Sequence, residues 1–202
     1  MTVVAFAEGF ADPVHDSQRM FRHVLEAFTH PGRIVTVAAT PSSPPALCAA
    51  AAAFLLTLAD SDTPLWLAPA FGQAGVRDFV RFHTGAPLVE DRAGAVLALL
   101  RHDQPGLFDE FAIGTDVYPD RSATLVIEVP ALGAGPARTW RGPGIDGSTD
   151  VAIAGLDDAF WRDWSANRAL FPCGADVVFA AGSQLCALPR SIAVEGGPCT
   201  SL

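Results

Sequence analysis

The sequence predicts an α/β fold, a mixed β-sheet sandwiched between helices. Helical segments alternate with short apolar runs through the first half, the pattern of strands joined through helices. Two strong strand runs, 95–100 and 123–129, sit in the middle of the chain. Near the C-terminus a strand, a glycine-rich loop and a second strand follow directly on one another, which adds antiparallel pairing to the sheet. At 202 residues the chain suits one domain, spanning 1–202 with no internal repeat or linker, and can bury a core without metal or disulfides.

The elements follow in order. At about 100° per residue, Met20, Phe21, Val24, Leu25 and Phe28 share one apolar arc, with Arg19, Arg22, His23, Glu26 and His30 opposite. Asp16 or Ser17 is the expected N-cap and Pro31-Gly32 the stop, giving a helix over 17–29. "RIVTVAA" then reads as a strand. Ser43 is the expected cap of an alanine-rich helix that opens on Pro44 and Pro45 and ends near Asp60, before a short strand at 64–67. A helix over 73–82 precedes the two strong strands, which the irregular segment 102–121 separates. Positions 137–155 read as a hairpin, 157–169 as a helix, and 174–196 as a buried strand, a turn at Gly182-Ser183 and one or two short strands. From Gly196 onward a frayed tail is expected.

Composition removes several function classes. Half the residues are hydrophobic and 17% charged, more apolar surface than a lone domain of this size needs, which favours an oligomer interface. No apolar run reaches the roughly 18 residues of a membrane span, and "MTVVAFAEGF" lacks the basic start of a secretory signal, so a cytoplasmic location is expected. The net charge of -9 repels polyanions, and no basic stripe interleaves with aromatics, so nucleic acid is not an expected partner. Cys48, Cys173, Cys186 and Cys199 form no CxxC pair and match no zinc spacing, and are expected to be reduced packing thiols. All 13 basic residues are arginine, so every mechanism that needs a lysine amine is excluded.

Candidate chemistry concentrates in the first helix. His23 and His30 lie seven residues apart, about 10 Å along the axis and too far to share one metal. His15-Asp16-Ser17 holds the residue types of a catalytic triad, but chain neighbours do not face one another, and a cap is expected. Arg19 and Arg22 could clamp an anionic phosphonate or a partner's carboxylates, with Glu26 as an internal mate for Arg22. In "GPGIDG", Gly142 and Gly144 allow close backbone approach to a phosphate, although a phosphate loop leads into a helix and here a strand is expected; a structural turn or partner contact is favoured. Cys173 precedes a strand with no histidine motif beside it. No nucleophile and base can be paired, and no metal site is expected.

"GFADPVHDSQRMFRHVLEAFTHPGRIV", "LTLADSDTPLWL", "YPDRSATLVIEV", "RGPGI" and "FPCGADVVF…ALPRSI", in this order, resemble the PhnH subunit family of the bacterial carbon–phosphorus lyase over nearly the whole chain. The resemblance implies a fold like the large domain of pyridoxal-phosphate-dependent transferases. Those enzymes hold the cofactor on a lysine, so this lysine-free chain cannot bind it that way. The resemblance also implies pairing as a homodimer, assembly with PhnG, PhnI and PhnJ, and a part in forming ribose 1-alkylphosphonate 5-triphosphate before C–P cleavage. It supplies no catalytic residues. Without a three-cysteine motif the chain is not the radical subunit. The expectation is an accessory subunit that uses no cofactor and is not catalytic alone, with Arg19, Arg22, Gly142 and Gly144 as ligand or partner contacts. The alternative is a module that binds a phosphonate or nucleotide in a cleft of a homodimer.

Overall fold

A computed structural model describes residues 7–196 apart from Pro105 and Leu107. The expected frayed tail after Gly196, with Cys199, lies outside the described residues. Helix α1 spans Pro13–Thr29 and starts earlier than the sequence suggested. Its cap is Asp12 rather than Asp16 or Ser17: the Asp12 carboxylate accepts from the His15 N–H at 3.2 Å, and Asp16 accepts from the Asp12 N–H at 3.0 Å. The two aspartates thus cap reciprocally, and Pro13, which has no N–H, is suited to the first turn. This moves Asp16 from the cap into the helix, where it is buried and paired with Arg19.

After the short strand β1 (Val35–Thr36), helix α2 (Ala49–Leu58) runs through the core with its residues from Ala50 to Leu55 almost fully buried. Alanine on every face lets neighbours approach closely and favours the helical state. Ser43 does not cap it; its hydroxyl donates to the Leu47 carbonyl at 3.1 Å. The cap is Cys48, whose sulfur accepts from the Ala51 N–H at 3.5 Å. The expected strand 33–39 shrinks to two residues because its partner ends in the Gly182-Ser183 turn, where the Val37 N–H meets the Ser183 carbonyl at 2.8 Å.

The remaining elements are β2 (Leu65–Leu67), α3 (Ala74–Thr84), β3 (Leu88–Val89), β4 (Leu97–Arg101), β5 (Thr124–Glu128), β6 (Leu132–Arg141), β7 (Thr149–Ile153), α4 (Asp158–Ala169), β8 (Asp176–Ala181), β9 (Gln184–Leu188) and β10 (Ala193–Glu195). Seven strands form one sheet in the order β1-β9-β8-β5-β4-β2-β3. The five from β8 to β3 are parallel, and β9 and β1 turn antiparallel at one edge. The mixed α/β class is therefore as expected. Strands β4, β5 and β8 are buried at consecutive positions, which requires cover on both faces. Helix α4 supplies part of it: Asp157 caps it by accepting from the Phe160 N–H at 2.9 Å, and Phe160 meets Phe179 of β8 edge-on at 5.8 Å. Beside α4 lies an element that the sequence showed only as a hairpin, a separate three-stranded antiparallel sheet, β10-β6-β7. Its Trp140 packs on Trp161 of α4, 6.4 Å between ring centres.

Gly144, in the turn between β6 and β7, fixes how that hairpin meets the rest of the chain. Its φ is +84°, and a Cβ there would lie 2.4 Å from the Thr29 carbonyl oxygen and 2.8 Å from Cδ of Pro31. The turn thus rests against the end of α1 at a distance only glycine permits. Gly147, three residues on, has a similar φ of +69° but nothing within 4 Å of its missing Cβ. Gly144→Ala is expected to destabilise the protein by about 2 kcal/mol or more in urea unfolding, since it adds a clash to the left-handed strain. Gly147→Ala carries only the strain, so equal losses in the two variants would show that the contact with α1 contributes nothing.

The joint between sheet and helices lies at the end of β5. The Cys48 N–H donates to Oε1 of Glu128 at 2.6 Å, across 80 residues of chain. Burial raises the Glu128 carboxyl above its usual range, against the lowering effects of the Cys48 contacts and the Arg101 charge. Burial first, then the Glu128 charge, pushes the Cys48 thiol up to about 12, and burial does the same to Cys186. An unfolded chain ionises these thiols from about pH 9, before the folded one does, so folding stability falls as pH rises from about 9 toward 12. Cys48→Ala removes one of these two contributions. The drop in the urea midpoint between about pH 9 and about pH 11 should then be shallower than in the parent, and an unchanged slope would contradict this assignment.

Candidate functional site

The outward side of α1 is where the sequence placed its candidate contacts. The core takes only part of the apolar arc: Met20, Val24 and Ala27 are buried, while Phe21 and Leu25 stay 45% and 48% exposed and Val14 76%. Phe21 and Leu25 therefore correct the expected core list. The arc is about 140° wide at 100° per residue, wider than the surface that α2 and β9 offer α1. With Val14 they make an exposed apolar stripe along the helix, and exposed Arg22 lies beside it. Arg19 is held by Asp16 through an ion pair. Glu26 pairs with Arg33 at 3.3 Å, beyond the helix end, and so is not the internal mate expected for Arg22.

The histidines do not converge. The His15 ring bonds Asp12 at 2.7 Å, and His30 lies at the helix end within 3.3 Å of the Glu26 carbonyl. Among the described residues no group of three or more histidine, cysteine, aspartate or glutamate side chains is placed to hold a metal ion. The His15-Asp16-Ser17 string belongs to the cap and its neighbouring ion pair, with no triad geometry.

Gly142 is half-buried and Gly144 exposed, yet a Cβ on either would point into neighbouring chain. A Cβ on Gly142 would lie 2.7 Å from Cδ1 of Ile192, and Gly144 abuts Thr29. The loop leads into β7, and the element it touches is the C-terminal end of α1, whose free carbonyls carry partial negative charge. That environment disfavours a phosphate. A cleft of about 430 Å³ does open there, lined among others by His30, Arg33, Asp146 and Ser148. Arg19 and Arg22 precede His30 by eleven and eight residues, about 16 and 12 Å along the helix, so the two halves of the predicted contact set do not share a cleft.

Neither Cys173 nor Cys48 is set up as a nucleophile. Cys173 is buried, and its sulfur lies 3.8 Å from Oδ1 of Asp116. Cys48 stays protonated at neutral pH because its thiol is pushed up to about 12.

A second apolar surface was not read from the sequence. Ile113, Val117, Tyr118, Leu170 and Phe171 are all exposed, Val117 to 75% and Phe171 to 60%. The two segments that carry them are joined by the Gly174 N–H donating to the Ile113 carbonyl at 2.8 Å. The readable signal was "AIGTDVY", large apolar residues in a segment without helix or strand periodicity.

A family model described as bacterial phosphonate metabolism protein (PhnH) matches residues 8–195. The alpha-D-ribose 1-methylphosphonate 5-triphosphate synthase subunit PhnH of Rhizobium meliloti (strain 1021) is 41% identical over 192 residues, covering 94% of this chain and 96% of that protein. The putative C-P lyase subunit protein HtxG of Stutzerimonas stutzeri is 31% identical over 175 residues, covering 86% and 83%. The match runs from the residue before Gly9 to the end of β10 and takes in both sheets and all four helices, so this chain belongs to the PhnH family of bacterial phosphonate metabolism proteins.

Proposed function

We propose that this chain is an accessory subunit of a carbon–phosphorus lyase core complex, acting in phosphonate catabolism without a catalytic group of its own. The observation that carries the reading is the exposed stripe of Val14, Phe21 and Leu25 beside Arg22, on a helix whose other side is firmly packed. Its relatives are named as subunits of a methylphosphonate-related synthase and of a C-P lyase. The partners are PhnG, PhnI and PhnJ, and together they form ribose 1-alkylphosphonate 5-triphosphate and then cleave the C–P bond. Arg19 and Arg22 contribute charge at the rim of the α1 contact, while Gly142 and Gly144 shape the turn that supports the end of the helix.

The same reading covers the isolated chain. It forms one domain over 1–202, works in the cytoplasm, and pairs as a homodimer through one of its two apolar surfaces when the other subunits are absent. Among the described residues no helix is long and apolar enough to cross a membrane. The reading includes, as the family resemblance implies, an architecture like the large domain of pyridoxal-phosphate-dependent transferases, on a chain with no lysine on which to carry that cofactor.

Phe21→Asp with Leu25→Asp tests the docking face. Both side chains are already half in water, so the doubly substituted protein should unfold within about 0.5 kcal/mol per site of the parent. Co-expressed with tagged PhnG, PhnI and PhnJ, it should be recovered in the complex at a small fraction of the parent's yield. Full recovery of an assembly that turns over ATP and methylphosphonate would overturn the assignment of this face.

A further inference from the structure

The carboxyl ends of the parallel strands hold a second feature, unconnected with α1. The chain leaves β2 into α3, which packs on α2, and leaves β4 into the segment whose Phe108 meets Phe160 and Trp164 of α4 at 5.5 and 5.8 Å. Strand order reverses here: β3 lies on one side of β2 and β4 on the other, and β5 continues away beyond β4. In open parallel sheets a crevice forms outside the strand ends at such a point and is the place where ligands bind. One is present, about 290 Å³ in volume, with Gln73, Arg101, His102 and Glu128 as its polar lining.

The polar groups are arranged as a pair of opposite sign. Arg101 and Glu128 end β4 and β5 and are register partners, so their side chains leave the sheet on the same side. Glu128 is anchored through Oε1 to the Cys48 N–H at 2.6 Å, and the Cys48 thiol also lies against this carboxyl. Among the described residues the ion pair of Arg101 is with the exposed Asp103, at 3.2 Å, an interaction that a better anion can replace. His102 is fixed between them and α4's approach: its backbone N–H donates to the Glu128 carbonyl at 3.0 Å, and its ring packs so closely on Gly155 that a Cβ there would lie 2.5 Å from Cδ2. Its Nδ1 is buried and has no hydrogen-bond partner among the described residues.

We propose that this crevice binds a small organic oxyanion that also carries an amino or hydroxyl group, the oxyanion on Arg101 and the donor on Oε2 of Glu128. A guanidinium is the best-matched side chain for a phosphonate, phosphate or carboxylate, and the neighbouring carboxylate rejects a bare anion unless it brings a donor. The volume lies at the small end for ligand sites and has no room for a nucleoside triphosphate. Taking a phosphonate as the oxyanion rests on the proposed function; the crevice and its two groups do not.

The test is calorimetry or NMR titration of the purified chain with 2-aminoethylphosphonate, ethylphosphonate and β-alanine at millimolar concentration. 2-Aminoethylphosphonate should bind more tightly than ethylphosphonate. Arg101→Gln should weaken both phosphonates about tenfold or more, the loss expected when a charge-assisted contact is removed. Glu128→Gln keeps an acceptor for the Cys48 N–H and should weaken 2-aminoethylphosphonate about fivefold while leaving ethylphosphonate no weaker than before. Circular dichroism and the urea midpoint check that both variants fold, and the exposed Arg101 keeps the test available if the Glu128 variant does not. Binding by neither phosphonate, or phosphonate binding that ignores Arg101→Gln, would overturn the site. Binding of β-alanine alone, still dependent on Arg101, would overturn the phosphonate class. Assembly with the other subunits is read on α1, so failure there leaves this result standing.

Discussion

The contact between the Glu128 carboxylate and the Cys48 N–H is the joint on which the helical layer depends. Helix α2 has only ten residues, too few to be stable alone even when rich in alanine, and it survives because it is buried along most of its length. Burial creates its own problem, since the first N–H groups of a helix have no internal partner and cannot reach water there. Leaving the Cys48 N–H unpaired would cost about 1–3 kcal/mol, and the Cys48 sulfur offers it no help because it accepts from the Ala51 N–H. The carboxylate at the end of β5 solves this and fixes α2 against the sheet at one point.

From that point the arrangement propagates outward. Helix α2 packs against α1, α3 and β8, so its position sets where α1 lies. Helix α1 is then held at both ends, by the Gly9–Ser42 bridge just before its start and by the Gly144 turn at its close. With ends and inner side determined, α1 cannot rotate to bury the rest of its apolar arc. The exposure of Phe21 and Leu25 is thus a consequence of constraints elsewhere in the molecule, and no rearrangement within a single chain removes it.

This explains what could be read in the sequence. The middle strands, the extents of α3 and α4, and the stop at Pro31-Gly32 were legible because each is decided by local pattern and punctuation. The caps of α1 and α2 were not. Asp12, Asp16 and Ser17 are all competent caps on paper, and only the reciprocal bonds select Asp12; Cys48 is an unusual cap whose backbone partner lies 80 residues away. The candidate site was legible in part. The helix face was found, but Phe21 and Leu25 were given to the core because periodicity shows that an arc is apolar without showing how much of it is covered. Arg101, His102 and Glu128 went unnoticed because each ends a strand or lies in an irregular segment, and only parallel pairing places them together.

The absence of lysine bears on the crevice as well as on cofactor chemistry. Its cation is a guanidinium, which keeps its charge at every accessible pH and presents a planar set of donors. A lysine ammonium in the same place, next to a partly buried carboxyl, would have been free to exchange its proton and serve as a base or a Schiff-base nitrogen. Arg101 can hold an anion but cannot take part in its chemistry, and the Cys48 thiol is held protonated. Glu128 and His102 are the lining groups with a movable proton, and Oε1 of Glu128 is already occupied by the backbone of α2 while the His102 ring is packed on Gly155. Within the proposed site Arg101 and Glu128 are therefore suited to holding a small molecule in place.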